Sequence, residues 1–126
     1  MKPIEHVFEG DYYDYGSLLD SFDYETVLQA DVGDWQGDTL VLFKDGDRYG
    51  FLTFGWGSCS GCDALQACNH LKDVKELRQH LFDEIIWRDS KAEMRDFLAN
   101  RDWEAQWYGG YEDTRKFVKQ AVEKLK

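Results

Sequence analysis

The sequence is poor in proline, in cysteine and in long apolar runs, and each shortage excludes a class of protein. Its 126 residues include one proline, Pro3, and three cysteines. No apolar run reaches the roughly 20 residues that a membrane-spanning helix needs, so no span is expected. The few cysteines, and an N-terminal stretch that is acidic rather than apolar, predict a reducing cytoplasm instead of secretion. Without a repeat or a low-complexity linker, residues 1–126 are expected to form a single globular domain.

Basic residues are scarce in the first half of the chain. Residues 1–63 carry 13 acidic side chains against Lys2, Lys44 and Arg48, so they account for the whole net charge of −10. Residues 64–126 carry 12 acidic and 12 basic side chains. An acidic field repels phosphate backbones and attracts basic protein surfaces. We therefore expect a basic protein surface as the partner, and neither nucleic acid nor a membrane.

The residue pattern of the first half is typical of β-strands, and that of the second half is typical of helices. Three apolar runs lie between Tyr24 and Trp56, and Asp45-Gly46 between two of them is a hairpin signal. After Gly61 apolar residues recur every three or four positions, as on one face of a helix. The sequence predicts an α+β fold: a three-stranded antiparallel β-meander over about 24–56, followed by a layer of three to four α-helices over about 62–126.

All three cysteines fall in one short segment, which reads WGSCSGCDALQACNH from Trp56 to His70. Three interpretations stay open. Cys59 and Cys62 have the spacing of a zinc knuckle, and Cys68 with His70 would complete four ligands. The same Cys-x-x-Cys, placed before a helix, would suit thiol chemistry. The third interpretation is structural, with the glycines shaping a tight turn and the cysteines packing as small apolar residues. Because Asp63–Cys68 favours a helix, Cys62 and Cys68 are expected on different faces, which disfavours zinc.

The stretch GWGSCSGCDALQAC resembles a segment of small uncharacterised proteins carried by bacteriophages and their bacterial hosts. The resemblance covers about fifteen of the residues. It implies a phage-borne accessory protein made in the cytoplasm of a bacterial host, and it transfers no catalytic residue.

Residues 10–25, GDYYDYGSLLDSFDYE, interleave carboxylates with aromatic rings and contain no base. Tyrosine gives contact area at little entropic cost, and carboxylates form charge-assisted pairs with Lys or Arg. A row of carboxylates can also imitate the phosphates of a nucleic acid in front of a basic groove. The predicted partner-binding residues are Asp11, Tyr12, Tyr13, Asp14, Tyr15, Asp20, Asp23 and Glu25. The alternative is a solvated lead-in whose rings cover the core.

No catalytic motif is recognisable, and neither a Gly-x-Ser-x-Gly elbow nor a phosphate-binding glycine loop occurs. The expected function is that of a non-catalytic, phage-type accessory protein. It would bind and inhibit a basic, nucleic-acid-binding host protein, such as a CRISPR nuclease or another defence nuclease. One alternative is a small metal-binding or thiol-dependent module that uses Cys59 and Cys62. A second alternative is a small-ligand-binding protein or enzyme whose site one sequence does not reveal.

Overall fold

The computed structural model describes residues 2, 15–33, 37–57, 64, 65, 67–103 and 111–126. Within these residues three consecutive strands of an antiparallel sheet precede most of the helices, which confirms the predicted α+β class. The strands are β1 Glu25–Gly33, β2 Gly37–Asp45, β3 Arg48–Trp56 and β4 Ile86–Arg88. The helices are α1 Tyr15–Asp20, α2 Leu71–Asp83, α3 Lys91–Asn100 and α4 Tyr111–Lys124.

The strands form one antiparallel sheet in the order β1-β2-β3-β4. The predicted hairpin is present: Asp45 pairs with Arg48, and Gly46 between them has a φ of 62°. That left-handed conformation favours glycine, as Asp-Gly predicts. Between β1 and β2, Gly33 pairs with Gly37, where an added Cβ would collide with the carbonyl oxygen of Val32. The three-stranded meander is therefore confirmed in its order and direction.

A fourth strand, β4, was not predicted. Its three residues pair with Tyr49–Phe51 of β3. An added Cβ at Gly50 would lie 2.7 Å from Ile85 and 2.8 Å from the Trp87 ring. The absence of a side chain at Gly50 therefore makes room for β4. The sequence conceals this strand because Ile85 continues the apolar periodicity of α2, although the helix ends two residues earlier at Asp83.

Consecutive residues of β2 are buried, which shows that both faces of the sheet are covered. The first face packs against α1 and α2, and its buried residues are Leu18, Leu19, Phe22, Val41, Phe43, Leu52, Phe54, Leu65, Val74, Leu81 and Ile85. The second face packs against α3 and α4, and its buried residues are Val32, Leu40, Leu42, Tyr49, Phe51, Met94, Leu98, Trp103, Phe117, Ala121 and Leu125. A strand buried on both sides reads as a continuous apolar run, as Leu40–Phe43 does. The helices thus lie on both sides of the sheet.

Two sets of local hydrogen bonds mark where α2 and α3 begin. The side chain of Asp73 accepts hydrogen bonds from the backbone N–H groups of Asn69 and His70, at 3.1 and 3.2 Å. This N-terminal cap starts α2 at Leu71, later than the boundary of about 62 that helix propensity predicted. At α3, Ser90 Oγ accepts from the Glu93 N–H at 3.2 Å, as its capping signature predicts.

Candidate functional site

The structure describes four of the eight predicted partner-binding residues. Asp11, Tyr12, Tyr13 and Asp14 lie outside the described residues, so the prediction for them stays a prediction. The described four are Tyr15, Asp20, Asp23 and Glu25, and they differ in exposure. Tyr15 is half-buried, whereas the three carboxylates are exposed.

The aromatic rings of this stretch that the structure describes belong to the core. The Tyr15 ring lies 4.8 Å from that of Phe54, and its hydroxyl accepts a hydrogen bond from the Leu65 N–H at 3.2 Å. Tyr24 packs edge-on against Trp87, with centroids 5.0 Å apart. Burial of these rings turns the intervening carboxylates toward solvent. The surface that remains for a partner at residues 15–25 is therefore mainly carboxylate.

Carboxylates gather at the end of the sheet that carries the β2–β3 hairpin. Glu25 begins β1 opposite Lys44, one residue before Asp45. Asp23 precedes β1 with a φ of 66°, and its N–H donates to the Asp20 carbonyl, so this turn leads from α1 into the strand. We call this region the acidic end, and its carboxylates are Asp20, Asp23, Glu25, Asp45 and Asp47.

Few cations compensate the acidic end. Lys2 Nζ lies 3.4 Å from Asp23, and Arg48 lies 2.8 Å from Asp45. All 15 lysines and arginines of the chain fall among the described residues. Among those residues, no ion pair forms at Asp20, Glu25 or Asp47. Asp20, Glu25 and Asp47 are thus exposed and form no ion pair among the described residues, although Lys44 lies directly across from Glu25 in the sheet.

Two further carboxylates lie toward the opposite end of β1 and β2. Asp31 is exposed on β1, and its Oδ1 accepts a hydrogen bond from the buried Thr39 hydroxyl. Asp38 is half-buried, and burial raises the pKa of its carboxyl above its ordinary value. The acidic character of the first half therefore extends along β1 beyond the acidic end.

The described members of the proposed zinc set do not form a site. Cys68 is half-buried against the first face, and its Sγ donates to the Ala64 carbonyl at 3.3 Å. His70 is exposed at the start of α2. Within the part of the chain that the structure describes, no three His, Cys, Asp or Glu side chains are placed to hold a metal. Cys59 and Cys62 lie outside that part, so their role stays a prediction.

Sequence reasoning missed a cleft between the end of α3 and α4. It encloses about 660 Å³, and we call it the basic cleft because four of its lining residues are basic and two are acidic. The lining residues are Leu98, Ala99, Arg101, Asp102, Trp103, Glu112, Arg115, Lys116, Val118 and Lys119. The spacing of Arg115, Lys116 and Lys119 could have indicated its α4 side. Nothing in the sequence places that side next to residues 98–103.

Arg101 forms one wall of the basic cleft. Its guanidinium lies 5.1 Å from the centre of the Trp103 ring and 5.4 Å from that of Phe97. Burial lowers the pKa of Arg101 from its ordinary value. Cation–π contacts of this kind favour a fixed guanidinium over aromatic rings. Arg101 is thus held within the protein and is not a freely moving surface charge.

Comparisons of the chain with protein-family models, with curated proteins and with solved structures find no match in any of the three. None of the described helices is both long and apolar enough to cross a bilayer. Support for a function therefore comes from the described geometry and from the sequence.

Proposed function

We propose that this chain is a non-catalytic, phage-type accessory protein that binds and inhibits a basic, nucleic-acid-binding host protein. The observation that carries the proposal is the set of exposed carboxylates at the acidic end that lack an ion pair among the described residues, namely Asp20, Glu25 and Asp47. Asp20 ends α1, Glu25 begins β1 and Asp47 lies in the β2–β3 hairpin, so all three are anchored to a doubly covered sheet. Rigid placement lowers the entropic cost of binding.

The partner that suits such a surface is a groove lined with Lys and Arg that otherwise holds DNA or RNA. Carboxylates spaced along the acidic end would pair with these cations and exclude the phosphates. A CRISPR nuclease or another defence nuclease has this chemistry. Charge-dominated association is fast at low salt and weakens as salt increases.

The experiment measures inhibition of purified bacterial defence nucleases, CRISPR nucleases among them, together with displacement of their nucleic acid. In a nuclease that is inhibited, the double variant Glu25→Gln/Asp47→Asn is expected to weaken inhibition about tenfold or more, because two charge-assisted pairs are lost. The matched control is Asp96→Asn/Asp113→Asn, which changes the net charge equally at exposed positions on α3 and α4.

Three results would contradict the proposal. One is inhibition that is insensitive to salt, which would indicate an apolar contact. Another is equal loss of inhibition in both double variants, which would indicate a response to net charge and not to the acidic end. The third is that no nuclease with an exposed basic groove is bound or inhibited.

A further inference from the structure

β1 lies at an edge of the sheet. It pairs with β2 on one side, and among the described residues no strand pairs with its other side. In an antiparallel pair, alternate residues of the outer strand direct their N–H and C=O groups away from the sheet. Glu25, Gln29 and Asp31 are exposed and Leu28 and Ala30 are half-buried, as expected of an open edge. Such an edge is a template for a further strand.

The second part of β1 is the part that can serve as this template. The pairing shifts between Thr26 and Leu28, where a bulge interrupts the ladder. Bulges re-aim an edge and protect it against pairing. From Leu28 to Gly33 the register with Leu42 to Gly37 is unbroken. We call Leu28–Gly33 the open edge, and its length of six residues matches that of a common strand.

The two faces of the open edge differ in chemistry. Gln29 and Asp31 share one face and are exposed, because α1 and α2 do not cover them. Leu28 and Ala30 share the other face and pack beside the core under α3 and α4. A strand added here would meet an amide and a carboxylate on one side and apolar groups on the other. The best match is therefore a strand that alternates basic and apolar side chains.

We propose that an extended, basic segment of a partner protein adds to the open edge as a fifth strand, with Lys or Arg side chains facing Gln29 and Asp31. This inference rests on the proposed function and specifies how the partner docks. Main-chain hydrogen bonds would supply affinity and alternate side chains would supply specificity, as in other strand-addition complexes. β1 contains Glu25 and Asp31 but no Lys, Arg or Pro, so a basic segment complements its charge and a second copy of this strand does not.

The test compares two capped peptides, each about seven residues long, that alternate lysine and valine. One has free backbone amides, and the other is N-methylated at alternate residues so that it keeps its charge but loses the donors that face β1. The intact chain is expected to bind the first peptide about tenfold more tightly or better, because only that peptide forms a ladder. Hydrogen–deuterium exchange should show new protection of amides within Leu28–Gly33.

Adjacent proline variants test the strand itself. Residues next to each other in a strand direct their N–H groups to opposite sides, so Gln29→Pro and Ala30→Pro remove one outward and one inward donor. The variant that keeps a melting temperature close to that of the original chain is expected to lose the preference for the unmethylated peptide. If neither variant folds, hydrogen–deuterium exchange on the original chain still decides whether the peptide adds to the open edge.

Each of the three remaining outcomes overturns strand addition. Each can also be distinguished from failure of the proposed function. Equal binding of the two peptides would leave charge alone as the attraction, and the acidic-surface proposal would stand. Binding of neither peptide at low salt would also refute strand addition, while nuclease inhibition tests the proposed function independently. Protection of Leu28–Gly33 in the free chain, together with a concentration-dependent dimer, would assign the edge to a second copy.

Discussion

The acidic end and the basic cleft are both charged, yet they are built in opposite ways. The acidic end comprises the end of α1, the start of β1 and the β2–β3 hairpin, and its carboxylates Asp20, Glu25 and Asp47 are exposed. In the basic cleft Arg101 lies over aromatic rings, and Trp103 beside it is only 7% exposed. The exposed charges of the acidic end contribute little to the free energy of folding. The Arg101 guanidinium, in contrast, contacts a buried ring of the core. Changing a carboxylate of the acidic end is therefore expected to leave stability nearly unchanged, whereas changing Arg101 is expected to destabilise the core.

The largest expected effect that separates the two regions is on stability at Trp103. Its ring packs edge-on against Phe51 at 5.4 Å, and its Nε1 donates to the Leu98 carbonyl at 2.8 Å. Trp103→Ala is expected to lower the free energy of unfolding by about 3 kcal/mol or more, because it leaves a cavity and an unpaired carbonyl. Glu25→Gln should change it by less than about 0.5 kcal/mol. Urea denaturation measures the free energy of unfolding of both variants. Similar losses in the two would contradict the proposed difference between the regions.

A smaller effect is expected at Arg101. Arg101→Lys keeps the charge but loses the planar group over Trp103 and Phe97, so it should destabilise the fold by about 1 kcal/mol. The matched control is Lys119→Arg, an equally conservative change at an exposed position of the same cleft, which should be nearly neutral. Thermal unfolding of the two variants compares them. Equal stability of both would mean that the guanidinium contacts do not support the core.

The smallest effect is expected at Asp38, where burial raises the pKa of the carboxyl above its ordinary value. Its protonated form is favoured by folding, so its contribution is most favourable below about pH 4 and is lost as pH rises through the raised pKa. Asp38→Asn should therefore raise the melting temperature slightly at pH 7 and not at pH 3. A gain of equal size at both pH values would show that charge burial is not the cause.

The sequence predicted what depends on neighbouring residues. Asp45-Gly46 located the hairpin, and the carboxylates of residues 20–25 were expected on the surface before any fold was known. It failed at one helix boundary and at a place where distant segments meet. Residues 63–68 favour a helix by propensity, yet α2 begins only at Leu71, where the Asp73 side chain caps the N–H groups of Asn69 and His70. The basic cleft needs α4 beside residues 98–103, and only tertiary packing brings them together.

The sheet itself divides into two parts by distance along the chain. Three residues separate β1 from β2 and two separate β2 from β3, whereas β4 follows β3 only after residues 57–85. Closing that long connection costs chain entropy before any β3–β4 hydrogen bond can compensate for it. We expect the three-stranded meander to assemble early in folding and β4, three residues long, to join last. The space beside Gly50 would then already exist in the three-stranded meander before β4 pairs with β3.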